Sequence, residues 1–290
     1  MQSFDANQVL EVFAAAGDEN KLSTLRKGQV VTLPAEGEVW MTGDIHDHRN
    51  NFRKLIEAAD LPNNPQRHVV LHELIHGDHY DSAGAEDSWL MLYQAAELKC
   101  NFPTQVHFLL ANHDLAQIHG EGIMKAGLSV CEAFNAAVKR DFPDGGTLVT
   151  VAITEYLLTL PLAIRCPNGM FFCHSLPTDE QIKTFDFSVF ERDQLSPQDY
   201  RRKTGPVYQL IWGRKVTPVG VAEFADKVGA ELIITGHQPQ EMGYAINGEQ
   251  HLIIASDHNH GVFLPIDLSQ KYDVPTLVDR LKKFVELGAD

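Results

Sequence analysis

Residues 69–81 read VVLHELIHGDHYD, an apolar run that stops abruptly in histidines, a glycine and two acidic side chains. The apolar part suits a buried β-strand, and Gly77 lets the backbone turn tightly after it. The same pattern recurs along the chain. EVWMTGDIHDHRNN (38–51) ends in Asp44 and His46, and TQVHFLLANHDLA (104–116) ends in Asn112, His113 and Asp114. GMFFCHSLP (169–177) ends at His174, AELIITGHQPQ (230–240) at His237, and EQHLIIASDHNHG (249–261) at Asp257 and His258. Helical stretches such as FRKLIEAADL (52–61) and AEDSWLMLYQAAELKC (85–100) lie between them. Strands alternating with helices predict an α/β fold. In such sheets ligands collect beyond the C-terminal strand ends, so these polar termini can converge on one crevice.

With 290 residues, 44% of them hydrophobic, the chain can bury a sizeable core as one domain over 1–290. A mainly helical cap or insertion is expected around 115–160. A C-terminal helix is expected around 276–288, packing Leu277, Leu281 and Val285. No apolar run reaches the roughly 18 residues of a membrane span. The first residues lack the basic and apolar regions of a signal peptide and predict an amphipathic helix instead, with Val9, Leu10, Val12 and Phe13 inside. Cys100, Cys131, Cys166 and Cys173 have no paired spacing and are expected to be buried free thiols, which fits a cytoplasmic protein. The formal net charge of −15 disfavours nucleic acid as a partner. An anionic substrate would then need local positive charge, which multivalent metal ions can supply.

The candidate ligands are Asp44, His46, Asp78, Asn112, His174 and His237. Singly, each has a plain explanation: carboxylates and amides after strands are often turn residues or helix caps, and an isolated histidine is often a hydrogen-bonded core residue. Together they form a mixed nitrogen and oxygen set suited to Mn, Fe, Zn or Co. Six ligands exceed one tetrahedral zinc with an open position, but they suit two ions sharing a bridging carboxylate. Such a pair, about 3.5–4 Å apart, can clamp a phosphate for in-line displacement.

GDIHD, GDHYD, ANHD, CHS and GHQ, in that order, resemble the five motifs of the calcineurin-like metallophosphoesterase superfamily, GD-x-H-G, GD-x-x-D, GNH-E/D, an isolated His and GH-x. GHQ without a second histidine, and the later IASDHNHGVF, are similar to the phosphoprotein (Ser/Thr) phosphatase branch. The resemblance implies two mixed β-sheets packed as a sandwich with flanking helices. It implies that Asp44 and His46 hold one metal, that Asp78 bridges, and that Asn112, His174 and His237 complete the second. His113 would protonate the leaving alkoxide, and Asp81 would pair with His113 and fix its orientation. The nucleophile would be a metal-bridging hydroxide and the cofactors two ions, with Mn²⁺ first and Fe or Zn as alternatives. His48, His76, His79, His258 and His260 match no ligand position and are read as supporting or loop-surface residues.

Three positions depart from the pattern. Ser82 stands where the phosphoprotein phosphatases have the arginine of GD-x-x-D-R-G, Asp47 replaces a glycine, and Ala111 replaces another. Arg214, in YQLIWGRKV, and Arg49 are the candidates to bind the substrate phosphate instead. The function expected is hydrolysis of phosphomonoesters in the manner of Ser/Thr protein phosphatases. A nucleotide phosphoanhydride hydrolase of the diadenosine tetraphosphatase type is the alternative substrate class. A deep pocket capped by residues 121–159 would favour that small substrate, and an open groove a phosphopeptide. A scaffold that kept the fold without catalysis is the alternative of another class. A nuclease is disfavoured by the acidic charge and the missing second histidine.

Overall fold

In the computed structural model, which describes residues 4–288 apart from 121, 122 and 126 (and not the side chains of 125 and 128), the run at Val69 belongs to a parallel strand of a two-sheet sandwich. In chain order the strands are β1 (Arg26–Lys27), β2 (Val30–Thr32), β3 (Glu38–Asp44), β4 (Arg67–His72), β5 (Val106–Leu109), β6 (Met124–Lys125) and β7 (Leu128–Ser129). They continue as β8 (Ala163–Cys166), β9 (Met170–Cys173), β10 (Leu232–Thr235), β11 (Tyr244–Ile246), β12 (His251–Ile254), β13 (Val262–Asp267) and β14 (Lys282–Lys283). One sheet has the order β1-β2-β8-β9-β10-β12-β11 and the other β14-β13-β3-β4-β5; β6 and β7 form a separate hairpin. β3, β4 and β5 run parallel, as do β9, β10 and β12.

Side-chain alternation explains the sandwich. Val39 and Met41 of β3, Val70 of β4, Met170 and Phe172 of β9, and Leu232 and Ile234 of β10 meet in one core between the sheets. Their neighbours Trp40, Val69, Leu71, Phe171, Cys173 and Ile233 point the other way, into the core beneath the helices. Both faces are therefore buried, which is why these strands read as unbroken apolar runs.

The helices are α1 (Ala6–Leu22), α2 (Arg49–Ala59), α3 (Trp89–Asn101), α4 (Asn112–His119), α5 (Val130–Asp141) and α6 (Gly146–Leu157), followed by α7 (Asp179–Ile182), α8 (Pro206–Trp212), α9 (Pro218–Val228) and α10 (Val274–Arg280). α1 starts at Asp5, whose carboxylate accepts from the Asn7 amide, and it buries Val9, Phe13 and Ala16 against α3 and α6. Leu10 and Val12, also expected inside, are only half-buried. The stretch expected as a cap lies mostly to the side: α5 packs on α3 and α6, while Ile123 and Met124, between α4 and α5, reach the cleft described below.

The C-terminal helix is shorter than the sequence pattern predicts. It ends at Arg280, after which Lys282–Lys283 pairs with β13 and residues Phe284–Glu286 form a single 3₁₀ turn. Turning out of the helix buries Phe284 against Phe263, with ring centroids 5.2 Å apart, and leaves Val285 exposed. The buried Lys54 ammonium secures the turn by donating to the carbonyls of Phe284 and Leu287. None of the helices among the described residues is long and apolar enough to cross a membrane. All four cysteines are free thiols; three are buried and Cys100 is partly so.

Candidate active site

Both sheets deliver polar residues to the same edge. Asp44 is the last residue of β3, Glu73 the first after β4, Asn112 opens α4 just beyond β5, His174 follows β9 directly, and His237 lies two residues past β10. Two glycines let the sheets close up here. A side chain on Gly43 would come within 2.0 Å of the Ile254 carbonyl, and one on Gly236 within 2.4 Å of Asp44 Oδ1. Ser256 stitches the seam: its hydroxyl accepts from the Gly43 amide at 3.0 Å and its own amide donates to the Asp44 carbonyl at 3.1 Å.

Backbone strain collects at the same place. Of the seven non-glycine residues with positive φ among those described, five are His46, Asp47, Glu73, His76 and His237. Each such residue costs roughly 1 kcal/mol or more and persists only where its surroundings hold it, a pattern typical of functional sites.

The side chains line a cleft, open to solvent, that includes Asp44, His46, Glu73, Asn112, His113, Arg214 and His237. His174 lies behind it, fully buried. His174 Nε2 is 2.7 Å from Asn112 Oδ1, 3.0 Å from His237 Nδ1 and 3.9 Å from Glu73 Oε1. His46 Nε2 is 3.4 Å from Glu73 Oε2, and the His237 amide donates to Asp44 Oδ1 at 2.9 Å. The other nitrogen of His174 faces His72 Nε2 at 2.8 Å, and His46 Nδ1 faces the Ile75 carbonyl at 3.0 Å.

These contacts fit a pair of metal ions. A neutral imidazole has one N–H, so His174, His237 and Asn112 turn more lone pairs toward one another than they have protons to share. His237 Nε2 and His72 Nδ1 are buried without a hydrogen-bond partner. Burial, and next the charge of Glu73, push the Asp44 carboxyl well above its usual range; burial pushes Glu73 up to about 8 against the hydrogen bonds it makes. His174 and His237 are pushed well below the ordinary imidazole value, chiefly by burial. Neutral imidazoles and crowded carboxyls are the form in which metal ligands are held, and a bound cation would offset the carboxylate repulsion. Two groups of side chains bring ligand atoms close enough to hold a metal ion, Asp44, His72 and His174 in one and His46, Glu73 and His113 in the other.

Residues 37–241 match the family model for calcineurin-like phosphoesterases, more than two-thirds of the chain. The chain belongs to that family. A probable serine/threonine-protein phosphatase of Encephalitozoon cuniculi is 25% identical over 240 residues, 75% of this chain and 46% of that protein. The chain thus spans about half the length of the curated relative it matches. Among solved structures, a serine/threonine phosphatase from Saccharomyces cerevisiae with similarity to human PP5 has a TM-score of 0.69 at 14% identity, covering 91% of this chain and 83% of that one. A cold-active protein-tyrosine phosphatase of a psychrophilic Shewanella has a TM-score of 0.58 at 14% identity, covering 92% and 84%. At that identity these two structures establish the shared fold.

Within this phosphoesterase fold, three sequence expectations need correction. Asp78 is not brought to the cleft: it is exposed and lies six residues beyond the end of β4. Glu73 takes that position because β4 stops at His72 and the chain turns at once. Leu74 and Ile75 look like strand residues only because the turn buries them. The loop is then pinned by the His76 amide donating to Ser88 Oγ, itself held by the buried Glu86. Gly77 passes so close to the first motif that a side chain there would meet Asp47 Cβ at 2.5 Å.

Asp81 does not reach His113. It is exposed, accepts from the Ala83 and Ala85 amides, and pairs with Arg140 at 2.7 Å. His113 instead faces His76, Nδ1 to Nδ1 at 3.0 Å. Arg49 lies outside the cleft, committed to Asp47 at 2.8 Å and Asp87 at 2.5 Å. Asp47 is thus a buried anchor for Arg49, and His48 caps α2 through Nδ1. His258 turns to the Gln240 carbonyl, and Asp257 lines the cleft in its place.

The i and i+3 spacing of the second motif survives, carried by Glu73 and His76 in place of Asp78 and Asp81. The arginine position then falls on Gly77, not Ser82. The other four residues at strand ends lie within three residues of their strands, as Glu73 does and Asp78 does not.

Proposed function

We propose that the chain is a metal-dependent phosphatase that hydrolyses phosphomonoesters, with Ser/Thr protein phosphatases as its nearest functional model. The observation that carries this is the convergence of Asp44, His46, Glu73, Asn112, His174 and His237 on a cleft that also holds His113 and Arg214. When bound, two ions at such a site supply a charge clamp on the phosphate oxygens and make water acidic enough to attack at neutral pH. The mixed donors favour Mn²⁺, Fe or Zn.

The remaining roles belong to the chain itself. Arg214, exposed at the cleft rim, binds the phosphate through its fork of N–H groups. His113, its amide held by Glu73 Oε1 at 2.9 Å, gives its proton to the leaving oxygen. Among the described residues the cleft lining holds one guanidinium for the substrate phosphate, that of Arg214. The phosphoserine or phosphothreonine class is favoured by the name of the curated relative. The open mouth of the cleft also favours a peptide, although Glu121, at the start of the expected cap, lies outside the described residues. The formal net charge of −15 makes nucleic acid a poor substrate. Free, mostly buried thiols fit a reducing compartment such as the cytosol.

The test is metal analysis combined with a substrate panel. Protein purified without chelator should carry close to two equivalents of transition metal and hydrolyse phosphoserine, phosphothreonine or phosphotyrosine peptides. Glu73→Ala should lose metal and activity, whereas Asp78→Ala should keep both. A protein that neither holds nor takes up Mn²⁺ refutes the proposal, and preference for a dinucleoside polyphosphate reassigns the substrate.

A further inference from the structure

We propose that Gln117 and Asn135 are positioning residues for proton transfer: through His76 they hold a proton on His113 Nδ1, so that the proton His113 gives up is the one on Nε2. This rests on the reading that His113 protonates the leaving group.

His76 is completely buried where the turn after β4 meets α4 and α5, and Phe134 packs edge-on against it with centroids 5.8 Å apart. Its Nδ1 lies 3.0 Å from His113 Nδ1 and its Nε2 lies 3.0 Å from Gln117 Oε1. Beyond, Gln117 Nε2 donates to Asn135 Oδ1 at 2.8 Å.

The proton positions follow from donor chemistry. With its amide nitrogen committed to Asn135, Gln117 presents its carbonyl to His76. A carbonyl oxygen only accepts, so His76 carries its proton on Nε2. A neutral imidazole has no second N–H, so His76 Nδ1 is an acceptor and His113 Nδ1 must donate to it. With His113 Nδ1 donating, a second proton on His76 would set two N–H groups against each other at 3.0 Å. To protonate the leaving oxygen, His113 must then be the imidazolium, with Nδ1–H on His76 and Nε2–H toward the substrate, and the Nε2 proton is the one given up. Reversing the order requires both amides to flip together, because turning Gln117 alone sets two carbonyl oxygens face to face.

This explains why an amide chain is present at all. A carboxylate beside His113 could only accept and would need no help. A histidine can accept or donate, so residues behind it must decide.

The experiment uses the full chain, with diamagnetic Zn²⁺ for the spectra and Mn²⁺ for the kinetics. Long-range ¹⁵N–¹H spectra of the wild type should show His76 as the Nε2–H tautomer; the Nδ1–H form overturns the proposal. In kinetics, Gln117→Leu should lower the ratio of kcat for an alkyl phosphate to kcat for dinitrophenyl phosphate about tenfold, because only the alkoxide needs the proton. Gln117→Glu keeps the acceptor and should hold that ratio within about threefold of wild type. A ratio unchanged in Gln117→Leu, or equal in the two variants, overturns the proposal. A wild type inactive on both esters would instead sink the phosphatase reading, with the tautomer still judged by the spectra.

Discussion

Replacing Glu73 by glutamine removes a buried charge while keeping the side chain's shape. The amide oxygen can still accept from the His113 amide, and the nitrogen can donate to Asp44. In the metal-free protein Glu73 titrates at about 8, against 4.5 for an ordinary glutamate, because burial disfavours its charged form. The folded state therefore binds more protons than the unfolded state between those values. The resulting stability is complete below about pH 4.5 and is lost as pH rises through about 8. At 1.36 kcal/mol per unit, the loss by pH 7 is on the order of 3 kcal/mol. Glu73→Gln should escape it. Urea denaturation in chelator should find the variant more stable than wild type by roughly that amount at neutral pH, and near parity at about pH 5. Added Mn²⁺ should reverse the order. Binding at a hundred times Kd stabilises the wild type by about 2.7 kcal/mol, and the variant has lost the Glu73 carboxylate. A variant less stable than wild type in chelator at every pH, or equal stabilisation of both proteins by Mn²⁺, would refute the reasoning.

Other perturbations test separate parts of the argument. Arg214→Ala should raise KM about tenfold with kcat changed less than threefold, as expected for loss of a charge-assisted phosphate contact; unchanged kinetics would return Arg214 to the surface. Gly43→Ala places a methyl group 2.0 Å from the Ile254 carbonyl and should cost about 1–3 kcal/mol in denaturation while weakening metal binding, because the sheets must part beside Asp44. His251 is held down to about 4 by burial, its Nε2 2.9 Å from Thr235 Oγ1. Its folded pKa lies below the unfolded one, so its contribution is present above about pH 6.5 and lost as pH falls toward 4, on the order of 3 kcal/mol. Denaturation midpoints at neutral and acid pH should fall less in His251→Gln than in wild type.

Much of this molecule is legible in one dimension. Apolar runs ending in Asp44, Asn112, His174 and His237 announce strands whose ends carry ligands, because residues at a strand terminus must sit at the sheet edge whatever the rest of the chain does. The α/β class and the donor types follow from that local rule, whereas the role expected of His113 came with the family resemblance. The family resemblance rests on the same residues. The second motif is where local reading fails. VVLHELIHGDHYD holds two candidate pairs at i and i+3, Glu73 with His76 and Asp78 with Asp81, and burial of Leu74 and Ile75 in a turn imitates the continuation of β4. Only the packed structure shows the strand stopping at His72, Gly77 pressed against Asp47, and Asp78 turned to solvent. The same holds for Asp81 and Arg49, whose charges are taken by Arg140, Asp47 and Asp87. Which carboxylate reaches the cleft depends on where a strand ends and on which loop lies against it. Those are contacts between distant segments, so sequence spacing determined the chemistry available and tertiary packing decided which residues supply it.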